Sequence, residues 1–468
     1  SVVSDQVRFS YKGLSRSERL DSPMIRKNGE GKEVEWATAL HKVVGGVSKV
    51  LSEKGVDQLG GISSPNATTE EQYLLQKLLR EIGSGNIDHR ITQMDYSDQD
   101  SEPVFPWLGQ SIQDLEKNDA VLLVGSNIRK DQPIAGHRVR TAALHGASVM
   151  AVNQLDYDFN FSLTAKKISN PAKLLNELGA ILKSVGKASN ADLPADLEAL
   201  LSNVSVDETH EKIARELTGA NSATVILGHD AFAHPQFSSL RAIAGQIAKL
   251  TSSKLGYLSD GCNSAGASLA GATPHRSTVG AAATVKGKNI AEMFEAKLAA
   301  YILLGVEPEV DCVDSNSALE AMNAAECVVV LNAFSSDKMK EYADVILPVT
   351  PFSETSGTFV NAEGRWQSFE GVVPPLADAR PAWKVLRVFG NLFECDGFEY
   401  VSSQEVRDEV KALTQDLTTS NEMSWHCPST LTIDSQGSEE VADRSMYASD
   451  GLVRRATSLQ QVVSAARV

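Results

Sequence analysis

The residues in this chain best suited to redox or metal chemistry are its five cysteines, Cys262, Cys312, Cys327, Cys395 and Cys427, separated by 50, 15, 68 and 32 positions. No two stand close enough to form a Cys-x-x-Cys pair. Iron-sulfur clusters and structural zinc usually draw two ligands from one tight turn, because a short loop holds both thiolates at metal distance with little closure entropy. No cluster is therefore expected within these residues. An odd count scattered so widely points to reduced, structural thiols in a cytosolic compartment. The histidines read the same way. His229 and His234 flank a strand end and His275 follows a proline, but no His-Glu-x-x-His pattern or carboxylate cluster joins them, so loop or core histidines are expected.

Nor does the chain carry a phosphate-binding loop. Gly125-Ser126-Asn127 follows an apolar run but is not Gly-x-Gly-x-x-Gly, and no Gly-x-x-x-x-Gly-Lys-Ser/Thr sequence occurs. Tight turns explain these glycines as well as a nucleotide site would.

The elements that would position such residues are plain. Ala120–Val124, a segment of helical spacing around Arg138 to His145, and Val149–Val152 read as strand, helix, strand. Thr224–Gly228 leads into Leu240, Ile243, Ile247 and Leu250, whose period of three to four marks one buried helix face. Ala300–Gly305 and Cys327–Asn332 open two further units. Each strand is a continuous apolar run, as expected when helices cover both faces of a parallel sheet. The fold class is α/β, doubly wound, with mostly parallel sheets in two Rossmann-like lobes. Polar loops at the carboxyl ends of the strands are where ligands of such sheets bind. Ser184 to Asp207 reads as a surface excursion with helical pieces. Past about Ser402 the pattern loosens: Thr414 to Ser424 is polar, Ser435 to Asp450 is acidic and serine-rich, and Leu459 to Val463 recovers apolar character.

Composition bounds the function. The 468 residues, with 42% hydrophobic and 22% charged, suit a globular protein of about three domains. Lys plus Arg at 44 against Asp plus Glu at 60 gives a net charge of −16, which argues against nucleic acid held on a basic surface. The longest apolar stretch, about Leu298 to Val306, falls far short of the roughly 18 residues that span a bilayer, so no membrane insertion is expected. The opening Ser1-Val2-Val3, without a start Met, suggests a fragment of something longer.

Three stretches together resemble the molybdopterin oxidoreductases. The first is Arg19-Leu20, Pro23-Met24 and Arg26, then Trp36 and Ala39-Leu40. The second is Gly61-Ile62-Ser63-Ser64 with Thr69-Glu70-Glu71 and Tyr73, closing on Gly83-Ser84-Gly85-Asn86-Ile87-Asp88. The third is Ala343-Asp344-Val345-Ile346-Leu347-Pro348, then Glu354 to Asn361 and Glu363-Gly364-Arg365-Trp366-Gln367. Each also has a local reading. Thr68 or Thr69 caps a helix whose early acids favour its dipole. Gly357 and Gly364 bracket a short β segment, Thr358-Phe359-Val360, with a positive φ expected on each side. Arg365 is expected to pair locally with Glu354 and Glu363.

The opening Ser4-Asp5, Arg8-Phe9, Tyr11, Gly13-Leu14, Arg19-Leu20, Pro23-Met24 resembles more narrowly the G-type large iron-sulfur subunit of respiratory NADH:quinone oxidoreductase, complex I. That resemblance implies an entry segment over 1–40, a molybdopterin-oxidoreductase-like body over 41–400 with one lobe inserted at about 119–260, and a loosely packed carboxy-terminal tail over 401–468. It implies 2Fe-2S and 4Fe-4S clusters in an amino-terminal region outside these residues, other peripheral-arm subunits as partners, no nucleic acid, and a place on the cytoplasmic side of the bacterial inner membrane. Relatives that hold molybdenum supply a Cys, selenocysteine or Ser shortly after the segment matching Gly85 to Asp88, followed by a His-Gly-Pro-like turn. Here that stretch reads His89 to Ser97, with Ser97 the one candidate ligand, and the carboxy-terminal barrel of those enzymes is expected to be missing or a remnant. Molybdopterin is therefore expected to be absent, and no catalytic, cofactor-binding or metal-binding residue is expected in this chain. The reading that follows is an oxidoreductase subunit serving as scaffold, inactive alone. The alternatives are a fragment of a catalytic, formate dehydrogenase-like molybdopterin oxidoreductase, and a nucleotide-binding module using the Gly125-Ser126-Asn127 and Gly228 edges.

Overall fold

A computed structural model describes residues 4–27, 29–425, 427–432, 446–448 and 450–465. They form two compact units. The smaller comprises Ser4, Gln93–Asp260 and the described part of 419–446; the larger comprises Asp5–Thr92, Gly261–Thr418 and the described part of 447–468.

The strands are β1 (Met24–Lys27), β2 (Glu30–Glu33), β3 (Leu59–Ser63), β4 (Ile87–Asp88), β5 (Ala120–Val124), β6 (Ser148–Asn153), β7 (Ala165–Ile168), β8 (Ala223–Leu227), β9 (Lys254–Tyr257), β10 (Ala300–Leu304), β11 (Cys327–Asn332), β12 (Val345–Pro348), β13 (Gly357–Val360) and β14 (Trp366–Phe369). The helices needed here are α1 (Trp36–Lys54), α2 (Thr69–Ile82), α3 (Pro171–Ser189), α4 (Phe237–Leu250), α5 (Ala382–Leu392) and α6 (Ser403–Thr414).

In the smaller unit a five-stranded sheet runs β7-β6-β5-β8-β9, every pair parallel. In the larger unit the order is β2-β1-β12-β11-β10-β3-β4. There β12 to β4 pair in parallel, while β1 joins β12 and β2 antiparallel. Both sheets are doubly wound, so the chain is α/β with mostly parallel sheets, as the apolar runs of β5, β8, β10 and β11 require. Strand order reverses between β5 and β8 in one unit and between β3 and β10 in the other, and such reversals open the crevices where ligands of α/β sheets sit. In the larger unit α1 buries Ala39, Val43, Val47 and Val50, one stripe at helical spacing. In the smaller, α3 and α4 bury Leu174, Leu178, Ile181, Leu240, Ile243 and Ile247 in the same way.

Several boundaries differ from the pattern reading. The smaller unit starts at Gln93, not near 119, because the strandless stretch before β5 is sewn to it by Tyr257 N–H donating to Trp107 O at 3.0 Å. Ser184 is no surface residue: it is buried within α3, its hydroxyl donating to Ala180 O at 2.9 Å. After residue 401, α6 buries Val406 and Val410 completely against the larger unit's core, so apolar spacing resumes where the composition reads loose. Most of the acidic stretch from Ser435 to Asp450 lies outside the described residues.

Two backbone segments of the larger unit cross at Gly85 and Gly287. A Cβ at 287 would lie 1.9 Å from Gly85 O, and one at 85 would lie 2.5 Å from Val285 O. Backbone cannot yield as a side chain does, so Gly287→Ala is expected to destabilise the chain by about 1–3 kcal/mol. Urea unfolding of the variant beside the parent measures it; a midpoint unchanged with equal slope would show that the crossing opens at no cost.

Candidate functional site

The larger unit's crevice lies at the carboxyl ends of β3 and β10, and polar side chains collect there. Ser63 Oγ donates to Gln72 Oε1 at 2.5 Å and Gln72 Nε2 to Ser64 O at 2.6 Å, tying the end of β3 to the first turns of α2. Helix α2 starts with a reciprocal cap: Glu71 N–H donates to Thr68 Oγ1 at 3.3 Å and Thr68 N–H to Glu71 Oε2 at 2.9 Å. Of the two threonines read as caps, Thr68 performs the role. Glu70, only 1% exposed, accepts from the Thr358 amide at 2.8 Å and from its hydroxyl at 2.7 Å, which joins β13 to α2. Asn263 spans the same elements, accepting from Val360 N–H at 2.7 Å and donating to Ala67 O at 2.7 Å. Burial pushes the Glu70 carboxyl up to about 7 against the pull of its Thr358 hydrogen bonds, and burial raises Glu71 too.

At the end of β4, Asp88 is fully buried. It accepts from Arg90 Nε and Nη2, each at 2.8 Å, and from the Arg90 amide at 3.0 Å. Burial works against its charge, but Arg90 outweighs that and holds the carboxyl below the usual range. His89 Nδ1 bonds Ala272 O at 2.9 Å. Ser97, which belongs to the smaller unit, is exposed. Its hydroxyl donates to Asp95 Oδ1 at 2.7 Å and also lies 2.8 Å from Ser238 Oγ. Asp95 in turn accepts from Ser238 N–H at 2.9 Å, in the first turn of α4, so Ser97 belongs to a helix-capping arrangement.

The smaller unit's crevice lies between β5 and β8, where Gly125, Ser126 and Gly228 meet. A Cβ on Gly228 would fall 2.4 Å from Ser126 Cβ, and one on Gly125 2.5 Å from Ala231 N. The space these glycines leave is filled by the chain itself. Asn153 Oδ1 accepts from Ser126 N–H at 2.9 Å, while the buried Ser126 hydroxyl finds no partner.

The remaining sequence candidates divide. His234 is buried, with Nε2 bonded to Pro171 O at 2.8 Å and Nδ1 accepting from Gln236 N–H at 3.0 Å; His229 and His275 are not brought to it as a cluster. All five cysteines are unbridged, Cys312 and Cys327 are buried, and burial pushes the Cys327 thiol up to about 12. Among the described residues no group of three or more His, Cys, Asp or Glu could hold a metal ion. Arg365 is corrected: it is exposed, its amide donates to Asn361 Oδ1 at 2.9 Å, and Glu354 pairs instead with Arg19 at 2.6 Å. The buried Arg19, equally basic, displaces the partner nearer in sequence. Gly364 has the expected positive φ of 80°, but Gly357 does not; it is glycine because a Cβ would meet Thr68 Cγ2 at 2.4 Å. The Glu70–Thr358 and Asn263–Val360 links were not legible at all, although the adjacency of Glu70 to a predicted cap and the run Gly357 to Val360 were the signals available.

A family model described as molybdopterin oxidoreductase matches residues 19–392, well over half of the chain. The chain belongs to the molybdopterin oxidoreductase family. A protein of Staphylococcus aureus strain MRSA252 named "Putative formate dehydrogenase" is 27% identical over 469 residues, covering 87% of this chain and 46% of its own length. One from strain USA300 with the same designation is also 27% identical, with the same coverage. This molybdopterin oxidoreductase chain thus spans about half the length of the curated relatives it matches. Among solved structures, acetylene hydratase from Pelobacter acetylenicus shares the fold with a TM-score of 0.66 at 13% identity, over 92% of this chain and 71% of that one. The formyltransferase/hydrolase complex of Methylorubrum extorquens, solved with methylofuran, follows at a TM-score of 0.54 and 12% identity, over 80% of this chain and 99% of that one. These similarities reach the oxidoreductase family, and the relatives' names stand nearer to the formate dehydrogenase-like alternative than to a complex I scaffold.

Proposed function

We propose that this chain is the α/β body of a molybdopterin-family oxidoreductase in which the body supports electron transfer without itself holding molybdenum. The observation that supports this reading is the state of the segment from Asp88 to Ser97. Asp88 is taken by Arg90, His89 Nδ1 by a backbone carbonyl, and the Ser97 hydroxyl by Asp95 at an exposed helix cap. A molybdenum ligand must be a deprotonated, soft or anionic donor with an open approach, and this donor set does not fit one. On this reading the chain corresponds to the G-type subunit of complex I. Its 2Fe-2S and 4Fe-4S clusters then lie outside these residues, its partners are the other peripheral-arm subunits, and it sits on the cytoplasmic face of the bacterial inner membrane. No helix among the described residues is long and apolar enough to cross that membrane.

The relatives' names favour a second reading, a formate dehydrogenase-like catalyst. The two separate on metal content. Elemental analysis of the full-length protein purified from its native cells is expected to give iron and no stoichiometric molybdenum. Molybdenum at one per chain together with formate-dependent dye reduction would establish the catalytic reading instead.

A further inference from the structure

The first turns of α1 and α5 enclose a groove of about 600 Å³ in the larger unit. Its floor is built from Trp36, Leu40, Ala379, Trp383 and Val385, and its rim carries Arg380, Lys384, Arg387 and Val401. No acidic residue lines it, although the chain as a whole carries a net charge of −16. Asp378 and Glu399, near in sequence, do not line it.

The three cations are held in a particular way. Arg380 lies over the Trp36 ring at 4.5 Å and Lys384 over the Trp383 ring at 5.4 Å. Among the described residues none of the three makes an ion pair, and the buried Arg387 Nε has no hydrogen-bond partner there. A guanidinium stacked on an indole satisfies its face and leaves its N–H edge directed outward, ready for a carboxylate. The platform is stiff: Trp36 Nε1 donates to Asp378 O at 2.8 Å, and the Arg380 amide donates to Pro348 O at 3.1 Å, fastening the rim to β12. Val401 stands 77% exposed beside this surface. Tryptophan, tyrosine and arginine around an apolar floor are the side chains that carry most of the energy in protein interfaces.

We propose that this groove docks a polypeptide segment of a partner protein that is acidic and carries apolar anchor side chains. Its carboxylates would meet Arg380, Lys384 and Arg387, and its anchors would cover Val401 and the half-buried Val388 above the Trp383 floor. Charge complementarity selects that occupant: a basic or neutral segment gains nothing from the rim, and in a chain this acidic the cationic rim steers an acidic partner to one place. The proposal is independent of which redox reading holds.

A random-peptide library displayed on phage and panned against the full chain tests it, with the variant Arg380→Glu/Lys384→Glu/Arg387→Glu as counter-selection. The expected result is enrichment of net-acidic sequences with aliphatic or aromatic anchors. Chosen peptides should perturb the chain's tryptophan emission and lose more than about tenfold in affinity against the variant. Lys384→Glu alone, a surface change, gives the same direction if the triple variant unfolds. No enrichment over the counter-selection, enrichment of neutral or basic sequences, or affinity indifferent to Lys384→Glu overturns the proposal. So does sedimentation showing that the groove joins two copies of this chain, with the variant monomeric.

Discussion

Replacing Arg454 and Arg455 together by alanine is expected to cost the larger unit about 3–5 kcal/mol, the usual penalty for stripping a buried carboxylate of its cation. Glu307 follows β10 and is 3% exposed. It accepts from Arg454 Nη2 at 2.9 Å and from Arg455 Nη1 and Nη2 at 2.8 and 3.0 Å. Asp311 accepts from Arg454 Nη1 at 2.5 Å. Burial disfavours the Glu307 charge, but the two arginines prevail and hold its carboxyl below the usual range. Its contribution to stability is therefore present above the ordinary carboxylate pKa and is lost as pH falls through the lowered one. Around these ion pairs Val453, Ala456 and Leu459 form a small core with Phe9, so the segment around Phe9 and residues 453–459 are clasped together past the carboxyl end of the central strand β10. Amide hydrogen exchange reads the result: protection in Gly451–Arg454 and around Glu307 should fall in the double variant. Adding Glu307→Gln and Asp311→Asn should restore part of it, because neutral side chains need no cation. Unchanged protection in the arginine variant would mean that the clasp holds by its apolar contacts alone.

The second large effect concerns Glu70 and its pH dependence. Its carboxyl titrates near 7 in the folded chain against an ordinary value of 4.5, because burial penalises the charge. The folded state then holds a proton that the unfolded state has released across that window, so this group's stabilising effect is full below about pH 4.5 and is lost as pH rises through about 7. A shift of that size corresponds to about 3 kcal/mol. Glu70→Gln keeps an oxygen for the Thr358 amide, and its new N–H₂ can donate to Thr358 Oγ1. That hydroxyl can turn to Ser368 Oγ, 2.9 Å away. The variant should match the parent at about pH 4 and exceed it in stability at pH 8. Parallel pH curves for parent and variant, measured by urea unfolding, would show that Glu70 does not hold that proton. Glu71, whose carboxyl is also raised, is present in both proteins and so drops out of the difference.

How much of this molecule could be read beforehand follows from the range of the interactions. The continuous runs Ala120–Val124, Ala300–Leu304 and Cys327–Asn332 announce buried parallel strands, because burial on both faces removes any alternation. The heptad-like stripe of α4 and the cap of α2 are likewise written within a few residues. The hairpin of β1 and β2 leaves no trace in the pattern, since Glu30–Glu33 is wholly exposed and carries no apolar signal. Glu354 pairs with Arg19 and not with the nearby Arg365 because proximity in space overrides proximity along the chain.

The sequence by itself determined the class of fold, the places where strands end in polar loops, and the lack of any clustered thiol pair, since each of these depends on neighbours a few positions apart. Tertiary structure alone decided which polar groups are spent and which are left over. Glu70 meets Thr358 across 288 positions, and Glu307 meets Arg455 across 148. A charge that finds such a partner becomes architecture, while Arg380 and Lys384, each over a tryptophan, and Arg387 beside them, without an ion pair among the described residues, remain available. No local pattern records that difference, because the free energy of a buried polar group is set by what folding brings to it.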